Sequence, residues 1–92
     1  IQSMTPELAS SFHLPSHREG VLVNSVDGKA PAGMGGILRG DIIIQYDGKK
    51  VPGSKKFQQM VAETRIGKIV PIKVIRNGVE KLLHVKIGKH RS

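Results

Sequence analysis

The chain has 92 residues, which suits one small domain and leaves no room for a second, catalytic or nucleotide-binding domain beside its core. It has no cysteine, which excludes disulfides and thiolate metal sites, and no tryptophan, so its core must be largely aliphatic beneath a surface of net charge +8. No apolar run approaches the roughly 20 residues that a helix needs to span a bilayer.

The first part of the chain predicts a strand, a capped helix and a second strand. Residues 1–4 are typical of a strand that is cut at its start. Thr5, Pro6 and Glu7 suit, in turn, the N-cap, the first helical position and the positive end of a helix. A polar loop ends the helix, and residues 20–26 predict the next strand.

The middle of the chain, residues 38–51, carries the most informative pattern. The apolar run at 42–44 indicates a strand covered on both faces. We expect Asp41 to bond to nearby backbone amides and fix the glycine turn before this strand. The pair at 47–48 is Asp-Gly, a strong signal for a two-residue hairpin. A short helical segment is expected upstream, beginning at 30–32.

The last third of the chain predicts a helix followed by a long hairpin. Ser54 is a plausible N-cap for a helix that runs to about residue 65, with Gly67 at its C-terminal end. Its apolar face has the spacing i, i+3, i+4, i+7. The residues of that face are Phe57, Met60, Val61 and Thr64. Residues 69–76 predict a strand, and Asn77-Gly78 turns the chain into its return strand.

This order of elements predicts an α+β domain. We expect a small, mostly antiparallel, curled sheet of about five to six strands, capped by two to three helices. Residues 1–88 form this single domain in the prediction, and residues 89–92 form a loose basic tail.

Several motifs agree in order and spacing with a known family, and the chain resembles the PDZ domains of bacterial HtrA/DegP-type (Do-like) serine proteases. The similar segments are TPELA at 5–9, GVLV at 20–23, APA at 30–32, GI at 36–37, GDII at 40–43, VA at 61–62, Gly67 and RNG at 76–78. Ala30 stands where the family often has Ser, and Gly35 where it often has Ala. The resemblance implies the PDZ fold.

The resemblance also implies peptide binding by β-augmentation, in which an extended peptide adds to the edge of a sheet. The edge strand would be Ile1, Gln2, Ser3 and Met4. The opposite wall would be the helix face of Phe57, Met60, Val61 and Thr64. Such a groove favours apolar C-terminal side chains. Plain core packing is the alternative role for the helix residues, above all for Met60.

In this family, a short loop before the first strand holds the carboxylate of the peptide in a nest of backbone amides. By alignment, that loop ends just before Ile1. We therefore expect the chain to be a fragment that is truncated at the N-terminal edge of the domain. Any signal peptide or membrane anchor would lie outside it.

No catalytic or metal site is predicted within the chain. No serine stands in a Gly-x-Ser-x-Gly motif. His13 and His17 have a spacing that suits a metal on a helix, but Pro15 interrupts that helix. The Arg-Gly-Asp sequence at 39–41 is interpreted as a structural turn. We expect no cofactor; the resemblance places the Ser-His-Asp triad in a separate, N-terminal domain of a parent serine endopeptidase.

The leading hypothesis is a peptide-binding module that serves substrate recognition or regulation of an attached trypsin-fold protease, in protein quality control in the bacterial periplasm. Its expected partners are hydrophobic C-terminal peptides or unfolded proteins, and the protease domain of a homo-oligomeric parent. Nucleic acid is not expected as a partner, and membrane contact is expected only through segments outside the chain.

Two alternatives stay open. In the first alternative, the chain is a scaffold PDZ domain of another parent, such as a site-2-type membrane protease, a secretion component or a protein without protease activity. Less favoured is a basic surface that binds nucleic acid or anionic lipid, which the net charge of +8 suggests. The lysines are dispersed and no aromatic platform accompanies them, which favours an ordinary solvated surface.

Overall fold

The computed structural model describes residues 2–15, 19–23 and 36–88 of the chain. Its elements are β1 (Gln2–Ser3), α1 (Pro6–Ser11), β2 (Val21–Leu22), β3 (Ile42–Tyr46), β4 (Lys49–Lys50), α2 (Ser54–Ala62), β5 (Ile69–Arg76) and β6 (Val79–Lys86). The predicted α+β class is confirmed. Ile1, His17, the helical segment predicted at 30–32 and the tail at 89–92 lie outside the described residues.

The strands form one antiparallel sheet of six strands in the order β1-β2-β3-β5-β6, with β4 paired to the end of β3. β5 and β6 pair along their full length. The register between β3 and β5 shifts between Ile43 and Gln45, which is a bulge in β3. Bulges bend a strand and increase its twist, so this one contributes to the curl of the sheet.

Both predicted hairpin turns are confirmed by their backbone angles. Asp47 and Gly48 have φ of 53° and 80°, and Asn77 and Gly78 have φ of 52° and 78°. Positive φ at both central residues is the signature of a type I′ turn, whose twist matches that of the flanking strands. The two turns set the pairing of β3 with β4 and of β5 with β6.

The start of α1 follows the prediction from its local sequence. Thr5 is the N-cap, and its hydroxyl oxygen accepts a hydrogen bond of 3.2 Å from the Leu8 N–H. Pro6 occupies the first turn, where its missing N–H costs nothing, and Glu7 lies near the positive end of the helix. Ala9 is the buried residue of this short helix.

The boundaries of α2 differ from the prediction at both ends. Its N-cap is Gly53 rather than Ser54, and the Ser54 N–H donates instead to the hydroxyl of Ser3 on β1 at 2.8 Å. A contact from a distant strand thus replaces the local cap. The helix ends at Ala62 rather than near residue 65. Thr64 turns back there and donates its hydroxyl to the Met60 carbonyl at 2.7 Å.

β3 separates two apolar clusters, which confirms that this strand is covered on both faces. Ile43 belongs to the main core, beneath α2. The buried members of that core are Val21, Val23, Ile37, Ile43, Tyr46, Val51, Met60, Val70, Ile72, Val74, Val85 and Ile87. Ile42 faces the other way and packs with Leu22 and Ile75 in a smaller cluster beside α1. Successive side chains of β3 point to opposite faces of the sheet, so this strand contributes to both clusters.

The side chain of Asp41 is buried and joins the turn before β3 to the end of β5. Its Oδ1 accepts from Arg76 Nε at 2.8 Å, and its Oδ2 accepts from the second guanidinium nitrogen at 2.6 Å and from the Leu38 N–H at 2.9 Å. Arg76 also donates to the Gly36 carbonyl at 2.7 Å. These hydrogen bonds to Asp41, with the charge of the carboxylate and against partial burial, raise the pKa of the Arg76 guanidinium.

We expect Asp41→Asn to lower the free energy of unfolding by about 2–3 kcal/mol. The two carboxylate oxygens of Asp41 accept three hydrogen bonds, whereas an amide has one acceptor oxygen. Urea unfolding followed by circular dichroism measures this. Asp47→Asn is the matched control: Asp47 pairs with Lys68 at the surface, so its loss should stay below about 1 kcal/mol. Equal losses in the two variants would contradict the structural role of Asp41.

Candidate functional site

β1 lies at one end of the strand order and presents an outer edge. The Met4 N–H donates to the Gly20 carbonyl at 3.0 Å, so Met4 faces β2 with its backbone groups. In an antiparallel pair, successive residues alternate between facing the partner strand and facing away from it. Ser3, which lies opposite Val21, therefore directs its N–H and C=O away from β2.

The first turn of α2 lies against β1. The Ser3 hydroxyl accepts from the Ser54 N–H at 2.8 Å and donates to the Ser54 hydroxyl at 3.1 Å. A Cβ added at Gly53 would lie 3.0 Å from the Ser3 hydroxyl oxygen, so the approach is close. The outer edge of β1 and the side of α2 that bears Ser54 are thus neighbours joined at this end, and we name the space between them the cleft.

α2 presents different residues to the cleft and to the core. Successive residues of a helix turn by about 100°, so Gln58 and Val61 lie on the same side as Ser54. These three residues form what we name the strand-facing flank. Gln58 is exposed and Val61 is half-buried against the core. Phe57 points inward and packs edge to face against Tyr46, with the two ring centroids 5.7 Å apart.

The structure brings together some of the residues predicted for the site and separates others. Ser3 lies on the edge strand and touches the helix. Met4 packs on the opposite side of the sheet, with the cluster beside α1. Met60 is only 8% exposed and belongs to the core. The Thr64 hydroxyl lies 2.6 Å from the Tyr46 hydroxyl, beyond the end of the helix. Gln2 lies in β1, and Ile1 is outside the described residues.

Sequence reasoning did not single out Ser54 and Gln58 as residues of the cleft. Their spacing to Val61, i to i+4 to i+7, is visible in the sequence. The predicted face rested on the mainly apolar stripe of the helix, and these two residues are polar. A helix that borders a peptide site has a polar or mixed flank beside its buried stripe, so a search for that flank would have found them.

A second cavity, of about 710 Å³, lies on the opposite side of α2. Its wall combines the end of the helix with the β3–β4 hairpin and the loop before β5. The lining residues are Tyr46, Asp47, Lys49, Met60, Glu63, Thr64, Arg65, Ile66, Gly67 and Lys68. Lys68 and Asp47 form an ion pair of 3.2 Å at its rim. Among the residues that the structure describes, none from β1 lines this cavity, so it is separate from the cleft.

Within the ranges that the structure describes, no three His, Cys, Asp or Glu residues come together as a metal site would require. None of the helices in those ranges is long and apolar enough to cross a membrane.

The sequence matches the family described as PDZ domain over residues 7–87. It is similar to proteins named probable periplasmic serine endoprotease DegP-like. The relative from Halomonas elongata is 32% identical over 88 residues, which cover 96% of this chain and 18% of the relative. The one from Hahella chejuensis is 36% identical over 89 residues, covering 97% and 19%. The chain thus spans less than a fifth of the length of these relatives.

The fold is similar to solved structures of related domains. The HtrA-type protease AlgW with a decapeptide has a TM-score of 0.86 at 34% identity, covering 98% of this chain and 27% of AlgW. The HtrA3 PDZ domain bound to a phage-derived ligand (FGRWV) has a TM-score of 0.76 at 25% identity, covering 92% of this chain and 76% of that domain. Both similar proteins were solved with a peptide ligand.

We expect Ser3→Ala to lower the free energy of unfolding by about 1 kcal/mol, because the first turn of α2 loses its capping oxygen and its own N-cap is a glycine. Thermal or urea unfolding measures the loss. Ser11→Ala is the matched control: the Ser11 hydroxyl donates to the Glu7 carbonyl within α1, so its loss should change stability by a few tenths of a kcal/mol at most. A loss in the control as large as in Ser3→Ala would contradict the capping role.

Proposed function

This chain belongs to the PDZ domain family, in its HtrA/DegP type, and we propose that it binds peptides by adding them as an antiparallel strand to the outer edge of β1. One observation carries the proposal: Ser3 directs its backbone donor and acceptor away from β2, into the cleft beside α2. The peptide ligands of the similar solved structures support it.

Backbone pairing would supply affinity and the helix would supply selectivity. In this proposal Ile1, Gln2, Ser3 and Met4 act through their backbone. Val61, half-buried, offers the apolar part of the groove wall, and Phe57 supports it from the core side, against Tyr46. Met60 and Thr64 shape the groove from behind, because they hold α2 against Tyr46 and the core. Such a wall favours peptides with apolar C-terminal side chains.

An antiparallel peptide runs opposite to β1, so its C-terminus would lie beside the start of that strand. We propose that the terminal carboxylate is held there by backbone amides of a loop before Ile1. The affinity for a free C-terminus would then depend on that loop, while the pairing along Ser3 is independent of it.

We propose further that the chain serves an HtrA/DegP-like serine endopeptidase of the bacterial periplasm, in which it recognises substrates or relays a peptide signal to the protease domain. The names of the relatives support this context. The groove suits exposed C-termini and unfolded segments, which are the ligands that protein quality control requires. The catalytic residues would lie in another domain of the parent.

The proposed pairing predicts an alternating response to N-methylation of the peptide backbone. Every second N–H of a paired strand faces β1, so methylation there should weaken binding at least tenfold, and methylation of the intervening residues should have little effect. Isothermal titration of an apolar C-terminal peptide measures the dissociation constants. A response without this two-residue period would contradict strand addition.

The contribution of the peptide's C-terminal carboxylate to affinity is measured with amidated peptides. In a version of the domain with about five residues of its parent added before Ile1, we expect amidation of the peptide C-terminus to reduce affinity roughly tenfold, because the nest loses its anion. In the chain as it stands, amidation should matter less. Absence of binding by the extended version at millimolar peptide would refute the proposed function.

A further inference from the structure

We propose that Lys55 makes the groove selective for an acidic side chain in the part of the peptide upstream of its C-terminus. This inference rests on the proposed function, because it concerns a peptide paired with β1. Its occupant is a peptide that combines an apolar C-terminus with a Glu or Asp a few residues earlier.

The direction of the peptide determines which residues meet Lys55. Every strand pair of this sheet is antiparallel. A peptide that pairs antiparallel with β1 has its C-terminus beside the start of that strand, and its upstream residues run past Ser3. Ser3 is hydrogen-bonded to Ser54 at the first turn of α2. The upstream residues therefore pass the beginning of the helix, where Lys55 stands.

The helical geometry places Lys55 and its neighbour Lys56 on different sides of α2. Ser54 faces β1, and Lys55 lies about 100° further round the helix, about 60° beyond Gln58, at the outer rim of the strand-facing flank. Lys56 lies about 100° further round, towards Glu63 and the second cavity. Both lysines are exposed. The pair therefore provides one cation at the groove and a matched cation that faces away from it.

The charge at this end of the groove is not compensated within the described part of the chain. The ion pairs found there use Lys68, Lys73 and Arg76. The first turn of α2 holds no acidic residue. A lysine near the positive end of a helix dipole is unfavourable for the helix. An acidic side chain of a ligand would be attracted by the lysine and by the positive end of the dipole. The unbalanced charge thus complements an acidic peptide.

The expected size of the effect is that of an exposed ion pair. A single Glu at the right position should strengthen binding roughly two- to fivefold over Gln. The gain should shrink when salt is raised from low to about 1 M, because the screening length falls to about 3 Å. These values are large enough to resolve by titration.

The test uses a set of peptides with one apolar C-terminus, in which Glu replaces Gln at each upstream position in turn. We expect one position, or two alternate ones, at which Glu strengthens binding. Lys55→Gln should abolish that gain, and Lys55→Glu should reverse it in favour of a Lys peptide. Lys56→Gln should retain the gain. Circular dichroism verifies that each variant folds.

The all-Gln peptide separates the two proposals. If it binds the unmodified chain and the Glu peptides show no positional gain, or if Lys56→Gln removes the gain as fully as Lys55→Gln does, the role of Lys55 is overturned while the proposed function stands. If the all-Gln peptide does not bind even the version extended before Ile1, the groove itself is refuted, and the role of Lys55 with it.

Discussion

The buried ion pair between Asp41 and Arg76 is the constraint on which the rest of the sheet depends. It connects residues 35 positions apart and closes the turn from which β3 begins. β2, β4 and β5 all pair with β3, so the position of the first residue of β3 sets the register of three neighbouring strands. A carboxylate that is almost wholly buried is tolerable only where donors satisfy it, and here they also define the geometry.

The parts of the fold that were predictable from sequence are those that local chemistry decides. Thr5 caps its own helix, and the turns at 47–48 and 77–78 have the one backbone conformation that their residues favour. The sequence also indicated that Asp41 fixes its turn, but not that Arg76 completes the site. Partners this far apart in the chain leave no local signal.

The same limit explains what was missed in the candidate site. The spacing of Phe57, Met60 and Val61 correctly indicates a helix face, but it does not tell which part of that face meets the core and which borders the edge strand. That depends on how α2 docks, and the docking includes a hydrogen bond to Ser3, 51 residues earlier, as well as packing on the core. The same contact supplies the capping oxygen that the N-cap, Gly53, lacks.

The hydrogen bond from Ser54 to Ser3 also has a dynamic consequence. The capping oxygen of the helix comes from the strand, so loosening of either element weakens a contact that orders the other. Whatever immobilises the edge strand lengthens the lifetime of the first helical turn, and fraying of that turn releases the strand. If a peptide occupies the cleft as proposed, order in the edge strand would thus extend to the first turn of the helix without a large change of shape.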